Sequence, residues 1–154
     1  MTAEGHPALD AFEQSMRDLP LEARVFAPIF RERIRRDGAR RFLTMGEARY
    51  TYAEFGDYVL AFARGLAQLG VGEGTIVPLM LPNCVEQFVV YLACLRLGIV
   101  VTPVPVQYRE HELTHILQTT GARAAITFTR IGRPDHGHAS AAMFLDLARA
   151  HPTL

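Results

Sequence analysis

The run His111-Glu112-Leu113-Thr114-His115 has the residue types and spacing of a zinc hydrolase helix. One helical turn separates the two histidines, so both can meet one metal ion, and the glutamate between them can activate a metal-bound water. Such a site also needs a third ligand. The extended motif wants glycine and histidine at two later positions, which here hold Gln118 and Gly121. A later glutamate ligand is excluded because Glu112 is the last glutamate of the chain. Asp135, His136, His138, Asp146 and His151 remain as late candidates, none of them in a motif. The residues therefore favour an amphipathic helix that buries Leu113, Ile116 and Leu117 and carries both histidines on its wetter side. No metal site is expected, and a zinc hydrolase is a remote alternative.

Other chemistry-bearing patterns are weaker. Gly70-Val71-Gly72-Glu73-Gly74 suggests a phosphate loop, but a dinucleotide fingerprint follows a strand and opens a helix. This run closes a helix and opens a strand, and Thr75 stands where the third glycine belongs. Cys84 near a helix start could have a lowered pKa, yet a buried structural thiol is the simpler assignment. No Ser-His-Asp or Cys-His arrangement has a recognisable local context. Six arginines fall between Arg31 and Arg41, which reads as a solvated helix face. All sixteen cations are arginine. With no lysine, these residues cannot build a Walker-type phosphate loop or form a Schiff base.

The elements that would position these groups follow from periodicity. Val25, Ile29, Phe30 and Ile34 place a helix over 22–37, with Gly38 set to cap it. A hairpin follows: Phe42-Leu43-Thr44, a turn at Met45-Gly46-Glu47, then Arg49-Tyr50-Thr51. Thr51 and Glu54 form a capping box for a helix whose stripe runs from Phe55 through Val59, Phe62 and Leu66 to Leu69. Strands are expected at 75–81, 99–102 and 124–127. The helices between them run from an Asn83 cap to Leu97, with Gly98 closing it, and from about Arg109 to Thr120, with a last helix from about Ser140 to His151. Short apolar strands alternating with helices imply an α/β fold, a parallel sheet flanked by helices, with the antiparallel hairpin near its N-terminus. Residues 1–21 read as an N-terminal arm or short helix, and 22–154 as part of one larger domain. The next element of the alternation would be a strand.

Composition bounds the class of protein. The chain has 154 residues, 49% hydrophobic and 21% charged, with sixteen acidic residues balancing the arginines. This is too apolar for disorder, and the absence of a basic excess argues against a nucleic-acid partner. The longest apolar run, Phe88 to Leu95, is far short of the ~20 residues of a membrane span. Cys84 and Cys94 fall in one predicted helix, about 15 Å apart along its axis, so they cannot bridge each other. Unbridged thiols and a start without a signal sequence point to the cytoplasm.

From Tyr50 onward the sequence resembles the N-terminal part of the AMP-forming acyl-CoA synthetases, within the adenylate-forming superfamily. The resemblance is carried by Tyr50-Thr-Tyr-Ala-Glu-Phe55, Gly65-Leu-Ala-Gln-Leu-Gly-Val-Gly-Glu-Gly74 and Val77-Pro-Leu-Met-Leu-Pro-Asn83. It continues through Tyr91-Leu-Ala-Cys-Leu-Arg-Leu-Gly98, Glu112-Leu113 with Ile116-Leu117, and Gly121-Ala-Arg123. The tail is similar to the cyclohexanecarboxylate and fatty-acid ligase branch. The resemblance implies a two-step ligase: a carboxylate attacks the α-phosphate of Mg-ATP to give an acyl adenylate and pyrophosphate, and CoA thiol then displaces AMP. It also implies ATP, Mg2+ and CoA as cofactors of the complete enzyme, with none expected on this chain alone. The family's Pro-Lys-Gly loop, adenine and ribose motifs and lid lysine have no counterpart here. The chain thus reads as roughly the first third of an enzyme, inactive alone, with no catalytic residue. Where many members have Asn-Pro-Arg, this chain has Pro105-Val106-Gln107. That arginine can meet the CoA nucleotide in some relatives, so Gln107 and Arg109 are the candidate contacts here, although Gln107 cannot replace the charge. A non-catalytic binding module is the alternative reading, and self-association through exposed sheet surface is a further expectation.

Overall fold

The computed structural model describes residues 7–18, 20, 25–132 and 137–150. Helix α1 covers Pro7–Arg17 and α2 covers Phe26–Asp37. Strands β1 (Arg41–Met45) and β2 (Ala48–Thr51) pair antiparallel, with Met45 opposite Ala48. The turn is therefore Gly46-Glu47, and Met45 belongs to the strand. Helix α3 spans Tyr52–Gln68, β3 Ile76–Met80, α4 Val85–Leu97, β4 Val100–Pro103, α5 Glu110–Thr120, β5 Ile126–Thr127 and α6 Ser140–Ala150. Strands β3, β4 and β5 form a parallel sheet in the order β4-β3-β5. The α/β fold expected from the alternation, with its hairpin, is what the chain adopts.

The central strand explains how the layers are arranged. Val77, Leu79 and Leu81 of the β3 segment pack into one core with Phe55, Val59 and Leu66 of α3 and Val89, Val90 and Ala93 of α4. Met80 points the other way, into a second core with Leu113 and Leu117 of α5 and Phe144 and Leu147 of α6. This is the two-residue alternation of a strand buried on both faces. Pro78 is also fully buried, an unusual residue for a central strand. The Val100 N–H donates to the Thr75 carbonyl and the Val104 N–H to the Leu79 carbonyl, both at 2.9 Å. Odd-numbered residues of this strand thus turn their polar groups toward β4. The donor that Pro78 lacks would face β5, where pairing begins only at Leu79.

The hairpin is joined to the larger core by aromatic packing. Phe42 stacks near Tyr52 and Phe55 with ring centroids 4.8 and 5.1 Å away, and Phe30 of α2 lies 5.3 Å from Phe42. Such tilted pairs contribute about 0.5–1.5 kcal/mol each beyond their burial. The capping box of α3 is complete. The Glu54 N–H donates to Thr51 Oγ1 at 3.2 Å, and the Thr51 N–H donates to the Glu54 carboxylate at 2.9 Å.

Three local expectations are corrected. Asn83 does not cap α4: Cys84 occupies that position, without a side-chain cap bond. Cys84 therefore precedes the helix, and only Cys94 lies within it. Gly38 follows α2 in a right-handed conformation (φ −51°), so it does not supply the left-handed stop that glycine usually provides. That role falls to Gly98 and Gly121, at φ 69° and 61°, where a side chain would be strained.

Replacing Phe55, which is wholly buried, by alanine is expected to cost about 3–5 kcal/mol of stability in urea unfolding. Thr51→Ala should cost about 1 kcal/mol through loss of the cap. The Thr51 backbone N–H, and then its hydroxyl, hold the Glu54 carboxyl below its ordinary value of 4.5. The folded pKa is depressed, so this contribution is present above the ordinary value and is lost as pH falls through the lowered one. The stability advantage of the natural protein over Glu54→Ala should accordingly shrink on acidification, as read by thermal unfolding across the acid range.

Candidate functional site

The sheet order places a topological switch at the C-terminal ends of the strands. From β3 the chain passes through α4 to β4 on one side. From β4 it passes through α5, across β3, to β5 on the other. Helices α4 and α5 consequently lie on opposite faces, in the two cores described above. In open α/β sheets the crevice beyond such a switch is where ligands bind. The described residues at those strand ends are 81–84 after β3, 104–109 after β4 and 128–132 after β5.

Gln107 and Arg109 both sit on this rim and are exposed. The Arg109 guanidinium folds back on its own loop, its Nη1 donating to the carbonyls of Tyr108 at 2.8 Å and Val106 at 3.1 Å. Arg109 also shares an electrostatic neighbourhood with Arg130 and His138. Burial first, and then these two arginines, push the His138 imidazole below its ordinary 6.5. A bridge between Ile131 and His138 closes the β5–α6 connection, and Arg130 Nη2 donates to the Gly137 carbonyl at 3.0 Å. Ser140, fully buried, donates its hydroxyl to the Phe128 carbonyl at 2.7 Å and fixes the start of α6. No sequence motif marks Arg130, His138 or Ser140, because the pairing that joins them crosses a loop without periodicity.

The His-Glu-x-x-His run lies on α5 with Leu113 and Leu117 buried and His111 and His115 exposed. Glu112 is engaged in holding the helix start. Its carboxylate accepts from the Arg109 N–H at 3.0 Å, and that bond is the first cause of its lowered pKa. Among the described residues, no three His, Cys, Asp or Glu side chains converge on a common point. Asp135, His136 and His151, named from the sequence as late ligand candidates, lie outside the described residues.

Burial raises the pKa of both thiols. Cys94 is buried and pushed up to about 11. Burial likewise raises Cys84 and the Glu86 carboxylate adds to the effect, outweighing the backbone N–H groups of Gln87 and Glu86 at the helix start, which lower it. Four of the six arginines of 31–41 pair with the segment's two carboxylates, Glu32 and Asp37. Asp37 accepts from Arg33 at 2.9 Å, Arg36 at 3.2 Å and Arg40 at 3.5 Å, and Arg35 pairs with Glu32. Burial works against ionisation of Asp37, but the guanidinium contacts prevail and its pKa is lowered.

The residues present do not fit Mg-ATP. The β3–α4 turn, Leu81-Pro82-Asn83-Cys84, has no glycine to bring backbone N–H groups around a phosphate. Among the described residues no helix is long and apolar enough to cross a membrane.

A switch-point sheet with an N-terminal hairpin defines an α/β domain of the kind that recruits its chemistry from several strand ends. Residues 30–153 match the AMP-binding enzyme family, and the chain belongs to that family. It is 37% identical over 92 residues to 4-coumarate–CoA ligase 3 of Oryza sativa subsp. japonica, covering 58% of this chain and 17% of that protein. It is 38% identical over 86 residues to the long-chain-fatty-acid–CoA ligase of Salmonella typhimurium, covering 55% and 15% respectively. Among solved structures, it is similar to the N-terminal subdomain of Klebsiella oxytoca NpsA in complex with anthranilyl-AMSN. The TM-score is 0.62 with 28% identity, over 66% of this chain and 26% of that one. The matched stretch thus spans about a sixth of the curated relatives and a quarter of the subdomain.

Purified protein is expected to hold no stoichiometric zinc by elemental analysis, and His115→Ala should leave both metal content and melting temperature unchanged. One tightly held zinc per chain, lost in that variant, would overturn the packing role of α5. For His138, the folded state disfavours the charged imidazole. Its contribution is present above the ordinary pKa and is lost as pH falls through the lowered folded value. His138→Gln should therefore show a melting temperature less sensitive to acidification between pH 7 and 5 than the natural protein.

Proposed function

We propose that this chain is the N-terminal part of the adenylation unit of an AMP-forming carboxylic acid–CoA ligase of the cytoplasm. The observation that carries this reading is the family match over residues 30–153, joined by two CoA ligases among the relatives with 37–38% identity. In the complete enzyme, ATP activates a carboxylate as its adenylate and CoA accepts the acyl group. A fatty-acid-type substrate is the class suggested by the resemblance of the tail. We place residues 22–154 in the adenylation domain and 1–21 in an arm that precedes it.

The contribution of this chain is architectural. It supplies the two-faced sheet and the strand ends that border the switch-point crevice, while the groups that stabilise charge on the α-phosphate lie elsewhere in the enzyme. Losing one such stabiliser typically costs about 10²–10³-fold in rate, and this chain, with no lysine, lacks the usual ones. Gln107 and Arg109 stand at the place of CoA nucleotide contact. Arg109 can serve a phosphate there once its guanidinium turns from the Val106 and Tyr108 carbonyls.

The 154-residue protein alone is expected to catalyse no carboxylate-dependent ATP–pyrophosphate exchange. Exchange above background that survives removal of contaminating ligases would overturn this. A chimera in which residues 42–127 replace the matching segment of a 4-coumarate–CoA ligase tests the reading positively. It should form acyl adenylate, and Arg109→Ala in that chimera should raise the KM for CoA while leaving pyrophosphate exchange intact. A folded chimera that forms no adenylate would sink the assignment.

A further inference from the structure

The exposed histidines of α5 are a pair that neither the core nor the proposed reaction uses. His111 and His115 stand one helical turn apart. At that spacing Cβ atoms are about 5–6 Å apart, and both imidazoles can meet one metal ion. They open on a hollow of about 590 Å³, lined on its α6 side by Leu147 and Ala150. Neither imidazole makes a hydrogen bond or ion pair among the described residues. The backbone that carries them is already fixed. Glu112 caps the start of the helix through the Arg109 N–H, Leu113 and Leu117 are buried, and the Gly121 N–H closes the end on the Leu117 carbonyl at 2.9 Å. The chelating spacing therefore exists before a metal arrives, and only two side chains are left to order on binding.

We propose that His111 and His115 form an exchangeable two-imidazole site for a borderline divalent cation of the zinc, nickel or copper type. Imidazole nitrogen suits these ions, whereas Mg2+ and Ca2+ demand oxygen ligands. No third His, Cys, Asp or Glu side chain converges with the pair among the described residues, so water fills the remaining coordination positions. The hollow beside α5 has room for it. An ion held by two protein ligands exchanges freely, unlike the closed four-ligand zinc of a structural site. That agrees with a protein that holds no stoichiometric zinc as purified and is loaded only when metal is added. The paired geometry exists only while α5 is helical, so a bound ion stabilises the fold by linkage. It would staple the first turns of α5, the helix that Glu112 caps from the Arg109 N–H. Neither histidine has a part in the ligase reading, and the two proposals stand or fall separately.

The test titrates the metal-free 154-residue protein with Zn2+, reading bound metal by equilibrium dialysis and stability by thermal unfolding. At about a hundredfold excess of Zn2+ over its Kd the melting temperature should rise by about 5 °C or more. Mg2+ at the same concentration should leave it unchanged. The imidazole resonances of His111 and His115 should shift together, with one midpoint, in NMR spectra. His111→Ala and His115→Ala should each weaken zinc binding by at least about tenfold, because a chelate that loses one contact loses its effective concentration. Both positions are exposed and alanine favours a helix, so in chelator both variants should melt like the natural protein. A loss of less than about tenfold in either variant means adsorption at scattered histidines and would overturn the proposal. So would zinc that shifts only one of the two imidazoles, zinc that binds without raising the melting temperature, or an equal rise with Mg2+.

Discussion

Burial of β3 on both faces is the constraint on which the rest of the molecule depends. A strand in the middle of a parallel sheet must find apolar cover above and below, and its odd and even residues face different neighbours. Val77 and Leu79 demand the α3–α4 layer, and Met80 demands the α5–α6 layer. The connections then have little freedom. Parallel pairing needs a helix between successive strands, and right-handed crossovers decide which face each helix covers. Gly98 and Gly121 stop α4 and α5 so that the next strand can start within a few residues. The hairpin and α2 are secondary to this plan, held to the larger core by the Phe30–Phe42–Phe55 aromatic contacts.

The same sheet decides where chemistry can occur. Because β3 lies between strands reached in opposite directions, the carboxyl ends of the strands are where a sheet of this kind binds its ligands. The polar groups at these ends are modest: an arginine folded against its own loop and a histidine whose pKa is lowered by burial and by two nearby arginines. This is a scaffold for a site more than a site itself, which agrees with a match that spans about a sixth of the length of its CoA ligase relatives.

Much of the fold was legible in the sequence because it is written in local terms. Thr51 and Glu54 satisfy each other within one turn, the stripe from Phe55 to Leu66 has a helical period, and the apolar runs of β3 and β4 are bounded by proline and glycine. What was not legible depends on contacts distant in sequence. Asn83 has the side chain of a helix cap, but the chain enters α4 one residue later, at Cys84. The expected strand at 124–127 shortens to Ile126–Thr127, and on the side facing it β3 carries Pro78, which has no N–H to donate. The Ser140–Phe128 and His138–Ile131 contacts bridge a polar loop with no periodicity to announce them.

The His-Glu-x-x-His run shows how packing and capping compete for residues whose types and spacing suggest other chemistry. A carboxylate three residues into a helix has an alternative to metal chemistry: it can accept the N–H that the helix leaves unpaired at its start. Glu112 takes that alternative, bonding the Arg109 N–H at 3.0 Å. The buried stripe of α5 then fixes the rotation of the helix about its axis. With Leu113 and Leu117 turned into the core against Met80, His111 and His115 are left on the opposite side. A third ligand would have to come from outside the layer that α5 covers. The packing demand of β3 thus reaches the surface, directing this pair of histidines away from the sheet.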